Sequence, residues 1–358
     1  MPPPHKMEAN EPDANAPGTA DIQLTIHDHA KAGNVSEIDR LLKEGIGTTT
    51  TASSSSIIEA PYGLFCLTPL HLASLTGQIE VVRLLIDRGA NVNSGTTDKS
   101  TPLHQAAHCG YTDIAELLID HGADVNGSEE GSWTPMRSPL HMAVFSGHVE
   151  TTRLLLKRGA NTETRQGNRW TALHVALHQG HVDVAAVLLE HGADMNALDA
   201  NQTAPIHTAV SKDLCNFVRL FLQHGCNIEA RSPSFQTPLH LAASRYPAEP
   251  ELRESETAMS NLLIGYGADI GSRDSKGRTP LHLASFVDQQ FVHARTKDGR
   301  TALHEVPVDS HDCYVELLRN GAEVNAVDED EWTPLLWNDE GGVVELLLMP
   351  WWRRSFVV

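Results

Sequence analysis

Residues 68–93 read TPLHLASLTGQIEVVRLLIDRGANVN. Thr68 and Pro69 have the character of a helix start: a hydroxyl cap, then a proline at the first helical position, where its missing N–H would have had no partner anyway. Leu70 and Ala73 lie three apart on one helical face, and Gly77 suits the left-handed turn that ends a helix. Val81, Leu84 and Leu85 form the apolar stripe of a second helix, stopped at Gly89. The polar stretch NVNSGTTDKS, residues 91–100, then turns the chain toward whatever follows. One such helix pair cannot bury its own stripe, so the unit requires neighbours of its own kind.

Those neighbours are present. The tetrapeptide or a close variant starts at Thr68, Thr101, Ser138, Thr171, Ala204, Thr237, Thr279 and Thr301, with a decayed ninth at Thr333. The separations are 33, 37, 33, 33, 33, 42, 22 and 32 residues. LLIDRGANVN, LLIDHGADVN, LLLKRGANTE, LLEHGADMN and FLQHGCNIE recur in phase with it. A period near 33 built on T-P-L-H-x-A resembles the ankyrin-repeat family, and the resemblance extends from about Ile22 to Leu348. It implies an all-α solenoid of stacked helix-turn-helix units with short hairpin loops, about nine to ten units counting degenerate ends.

Breaks in the period outline the expected organisation. Residues 1–21 read as a disordered tail. Residues 22–45 read as a degenerate capping repeat, because His27 to Gly45 matches the 18-residue step from His71 to Gly89. Residues 46–66 are a Ser/Thr-rich insertion, followed by the main block, 67–278, interrupted by an acidic loop at 246–256. Residues 279–300 form a truncated repeat that lacks 11 residues of second helix, and a hinge is expected at 286–291. Degenerate repeats occupy 301–348 and a tail 349–358, where Trp351 and Trp352 stand in place of a polar cap.

Composition narrows the function. With 27 Lys plus Arg against 46 Asp plus Glu, the net charge of -19 opposes nucleic-acid phosphates and anionic lipid and favours a basic protein partner. No apolar leader or run of about 18 apolar residues is visible. The five cysteines are scattered and never spaced C-x-x-C, as in reduced thiols inside a cell. The expectation is an intracellular monomer, cytoplasmic rather than nuclear, that binds neither nucleic acid nor membrane.

The histidines invite a metal reading that their phase opposes. His71, His104, His141, His174, His207, His240, His282 and His304 hold the same place in successive units, about 10 Å apart at the spacing of packed helices. Zinc needs ligands at about 2.0–2.1 Å. The resemblance implies hydrogen bonds to the Thr-Pro turn and adjoining backbone instead. His104 with His108 and His174 with His178 are i, i+4 pairs, but the glutamate of H-E-x-x-H and a third ligand are missing. No nucleophile elbow or phosphate loop occurs. The reading is therefore not an enzyme, with no metal and no cofactor.

The resemblance implies that protein partners meet hairpin tips and the exposed side of the first helix. Residues just before the anchors include Lys99, Trp133, Arg169, Trp170, Gln202, Phe235 and Gln236. Those near the end of the first helix include His108, Phe145, His178, Lys212 and Arg245. Because interface hot spots favour aromatics and Arg, Trp133, Phe145, Trp170, His178, Phe235 and Arg245 are the candidate groove residues. A secondary basic hairpin patch comprises Arg273, Lys276, Arg278, Arg295, Lys297 and Arg300. The expected role is a scaffold, adaptor or inhibitor that holds a protein partner. The alternative is a substrate-targeting subunit of a larger complex such as a ubiquitin ligase.

Overall fold

Helix starts repeat along the chain because the same local signal repeats. A computed structural model of the protein describes residues 19–44, 57–127, 138–244, 253–283, 292–293, 295, 299–305, 315, 317–319 and 321–337. In chain order the helices are α1 Thr19–Ala32, α2 Val35–Glu44, α3 Pro69–Thr76, α4 Ile79–Asp87, α5 Pro102–Cys109, α6 Thr112–Asp120, α7 Pro139–Phe145 and α8 Val149–Lys157. They continue with α9 Ala172–Gln179, α10 Val182–Glu190, α11 Pro205–Ser211, α12 Cys215–Gln223, α13 Pro238–Ser244, α14 Arg253–Gly265, α15 Pro280–Leu283, α16 Ala302–Glu305 and α17 Pro334–Trp337. Among the described residues the only β pairing is two isolated bridges, Tyr62 with Leu67 and Arg295 with Thr301. No helix there is long and apolar enough to cross a membrane.

The chain divides into two units, Met1–Gly167 with Glu190–Gly192, and Asn168–Leu189 with Ala193–Val358. In the first, α1, α3, α5 and α7 pack side by side as one row and α2, α4, α6 and α8 as another. The core is thin and aliphatic: Leu70, Ala73, Val82, Leu85, Leu103, Leu118, Leu140 and Leu155 are all buried. Each large side chain there contributes about 1.5–3 kcal/mol by leaving water. In the second unit, α9, α11, α13 and α15 form the corresponding row, with α12 against α14 behind it. Phe217 and Phe221 fill its interior edge to face, 6.1 Å between ring centres.

Ladders of backbone N–H groups donating to side-chain oxygens fasten layer to layer. The Asn93 side chain accepts the Asp124 N–H (2.8 Å), and Asn126 does the same for Asn161 (2.8 Å). Glu59 opens that ladder by accepting the Asn91 N–H at 2.7 Å. In the second unit Glu229 accepts from Asp269 N–H at 2.8 Å. Surface ion pairs such as Arg88 with Asp39 and Arg158 with Glu116 and Asp120 also cross layers, but exposed pairs of this kind contribute little.

Several expected boundaries shift. The first helix begins at Thr19, inside the stretch read as tail. Within the expected insertion at 46–66, residues 57–66 pack on the repeats: Ile57, Ile58 and Ala60 are buried, and His27 Nε2 lies 2.8 Å from the Ala60 carbonyl oxygen. Apolar side chains held this segment in the stack where Ser/Thr composition had pointed to a loop. Likewise α14 starts at Arg253, within the expected acidic loop. On α4 the buried residues are Val81, Val82 and Leu85, while Leu84 is only half-buried. The Ser/Thr run at 48–56, the hinge at 286–291 and the tail tryptophans lie outside the described residues.

Candidate functional site

The tetrapeptide's histidine is consumed in scaffolding. Thr68 N–H donates to His71 Nδ1 (3.2 Å), and the Thr68 hydroxyl lies 2.8 Å from the same nitrogen. His71 Nε2 lies 3.0 Å from the Ser100 carbonyl oxygen in the next hairpin. A carbonyl only accepts, so Nε2 carries the proton and Nδ1 is the acceptor. His240 repeats this with Thr237 and the Arg278 carbonyl (2.9 Å), and His304 with Thr301 and the Trp332 carbonyl (3.0 Å). Burial holds the pKa of His71, His207 and His240 below the ordinary imidazole value, which keeps the rings neutral. Each lock thus caps its own helix and ties it to the following layer.

The i, i+4 partners turn elsewhere. His104 faces Thr101 at 2.8 Å and His174 faces Thr171 at 2.9 Å. His108 Nδ1 lies 3.0 Å from the Ser146 hydroxyl, and the His178 ring lies against Trp170 at a 35° tilt. Burial pushes the Cys226 thiol up to about 11 and raises those of Cys109 and Cys215, while Cys66 is exposed.

Hairpin tips are built to one plan. Asp199 Oδ1 accepts the N–H groups of Asn201 (2.8 Å) and Thr203 (3.0 Å), and Asp274 and Asp328 do the same two and four residues on. Burial opposes the Asp274 charge, but the Arg278 and Lys276 N–H groups and the Arg278 guanidinium outweigh it and hold the carboxyl below its usual range. The residue two before each anchor takes a left-handed conformation: Lys99 (φ 67), Arg169 (φ 58), Gln202 (φ 57), Phe235 (φ 59) and Glu331 (φ 62). Each of these non-glycine residues bears roughly 1–2 kcal/mol of backbone strain. A main-chain bond then joins successive tips, as from Ala200 N–H to Asn168 O (3.0 Å) and Ser275 N–H to Ser234 O (3.1 Å). Arg231 reaches the carbonyls of Phe235 (2.9 Å) and Arg273 (2.7 Å), and Arg295 those of Gly299 (2.9 Å) and Val327 (2.8 Å).

On this frame sit the sequence-derived candidates. Trp170 and His178 are brought together, ring centres 4.7 Å apart. Burial lowers the His178 pKa first and the charge of Lys212, on the next layer, lowers it further. Phe235 stands at its tip 60% exposed. Phe145, at the end of α7 in the other unit, is 37% exposed. Trp133, Arg245 and Lys297 lie outside the described residues. The basic patch is partly engaged: Arg278 pairs with Asp274 at 2.8 Å, Arg295 with Glu323 at 3.6 Å, and Arg300 approaches Asp328 at 3.8 Å. Arg273 and Lys276 are exposed. Sequence reasoning passed over Leu64 and Phe65, exposed 89% and 47% at the first tip. Counting two back from Thr68, as from the later anchors, lands on Cys66, left-handed at φ 54, with Phe65 immediately before it.

Family models described as ankyrin repeats match residues 26–129, 131–199 and 206–294, a further one matches 103–156, and a single ankyrin repeat matches 298–329. The crystal structure of the human ASB11 ankyrin repeat domain is similar at a TM-score of 0.54 and 23% identity, over 68% of this chain and 97% of that one. No curated protein sequence matches significantly.

Proposed function

Because the chain belongs to the ankyrin-repeat family, we propose that it is a non-catalytic protein-binding module whose hairpin tips and first-helix ends hold a protein partner. The observation that carries this reading is a division of labour within each repeat. Many groups that could do chemistry are spent on the frame: His71, His240 and His304 on cap and carbonyl, Asp199, Asp274 and Asp328 on hairpin N–H groups, and the Cys109, Cys215 and Cys226 thiols raised by burial. The frame in turn holds Phe235 exposed at a strained tip and Trp170 against His178. Rigid aromatic anchors bind with little loss of side-chain entropy.

Site-specific photo-crosslinking in cells tests it. A photoreactive phenylalanine at position 235 or 178 is expected to trap a discrete protein adduct, whereas one at Arg83, on the exposed side of α4, traps none. Equal trapping at position 83, or none at 235 and 178, would contradict the proposal. Phe235→Gly supplies the matching loss variant: it removes the side chain and suits the left-handed backbone, so lost capture reports binding and not unfolding.

A further inference from the structure

We infer that the face formed by hairpin tips and first-helix ends in the second unit accepts an acidic peptide segment with an apolar anchor. This deepens the protein-binding reading above and rests on it. The chain average points the other way, since a net charge of -19 suggests a basic partner. Charge is not spread evenly, however. In the repeats anchored at Thr171 and Ala204, neither the two residues before the anchor nor the two at the first-helix end (His178 and Gln179, Ser211 and Lys212) are Asp or Glu, and neither are the two residues before Thr237 and before Thr279. Those places hold Arg169, Trp170, His178, Lys212 and Phe235 among others, with Lys276 exposed on the next tip.

The nearby carboxylates are turned to internal work. Asp199 and Asp274 are buried beneath their tips, accepting N–H groups. Glu229 accepts the Asp269 N–H and the Ser272 hydroxyl. Asp213, beside Lys212, is left-handed at φ 57, and the Cys215 thiol lies 3.9 Å from its carboxylate. The face ends where Glu331 occupies the tip before Thr333. Cationic side chains thus flank two aromatic anchors inside a protein that elsewhere repels anions. A short acidic segment gains the local attraction, whereas a long polyanion such as nucleic acid meets the repulsion of the whole chain.

Selection of a displayed random-peptide library on the intact chain, with the heat-denatured chain as control, tests this. Enriched peptides are expected to be rich in Asp and Glu around a hydrophobic residue and to weaken as salt rises. Trp170→Ala and Lys212→Glu should each weaken them by at least about tenfold, as for an interface anchor. Circular dichroism melts establish that the variants stay folded, and Lys276→Glu, at an exposed site, serves as the second charge variant. Basic or neutral peptides that still depend on Trp170 would overturn the acidic preference and leave the binding face standing. Peptides indifferent to Trp170, Lys212 and Phe235, or no enrichment over the control, would count against both. Oligo-dT binding as tight as the peptides would likewise overturn the inference.

Discussion

The repeat anchored at Thr101 and the one anchored at Thr301 start alike, although the first follows a period of 33 residues and the second one of 22. In both, the threonine N–H donates to the histidine Nδ1, at 3.1 and 3.0 Å, with the hydroxyl 2.8 and 3.0 Å away. The helix that follows runs from Pro102 to Cys109 in the first case, and in the second its described residues are Ala302 to Glu305. Behind α5 stands the full second helix α6, with Ile114, Ala115, Leu117 and Leu118 buried. Behind α16 the described helical residues include 317–319, with Leu317 and Leu318 buried. The cap is therefore a four-residue property, the same in both repeats, whereas the stability of the helix behind it depends on the neighbours it packs against. A helix shorter than about a dozen residues has little stability of its own, so packing decides how far the nucleus propagates.

The strongest challenge to this contrast is a pair of core truncations at the same repeat position. Leu118→Ala is expected to cost about 2–5 kcal/mol as a buried large-to-small change, whereas Leu318→Ala is expected to lower only the stability of the C-terminal repeats. Urea denaturation followed by fluorescence and circular dichroism would show the first shifting the main transition and the second only an early one. Next comes a pair of glycines. Gly110 (φ 76) has His148 where a Cβ would lie, 2.5 Å from Nδ1, and that ring is pinned by a 3.0 Å contact between Nε2 and the His108 carbonyl. Gly321 (φ 86) has open space. Both alanine variants incur roughly 1–2 kcal/mol for the left-handed backbone, and Gly110→Ala should exceed Gly321→Ala by the cost of moving the ring, measured as a difference in melting midpoint. The smallest effect is at the caps: Thr101→Ala and Thr301→Ala should each lose about 1 kcal/mol. Similar losses would sharpen the claim that the lock is local; a loss at Thr101 alone would break it.

What was legible in the sequence follows the same line. Thr68, Pro69 and Gly77 act within one helix, and each has the role its chemistry suggested. Leu84 does not, because α4 packs against α2, α3 and α6 together, and a period count cannot say which side of a stripe meets three neighbours. The same holds for Ile57, Ile58 and Ala60, whose burial depends on a layer their Ser/Thr-rich surroundings obscured. Among site residues, Trp170 with His178 could be paired by counting along one unit. The Lys212 contribution and the Arg231 and Arg295 clamps could not, since they reach into the next layer.

Native-state hydrogen exchange in increasing denaturant tests the central claim, that a locally encoded lock is stabilised by its neighbours, most directly. The amides of α5 and α6, residues 102–120, are expected to exchange only through the largest opening. Those of residues 302–305 and 317–319 should open together at lower denaturant, with a smaller slope that reports less buried surface. Equal protection and equal slopes across both sets would contradict the account, because the lock alone would then suffice to hold a repeat in place.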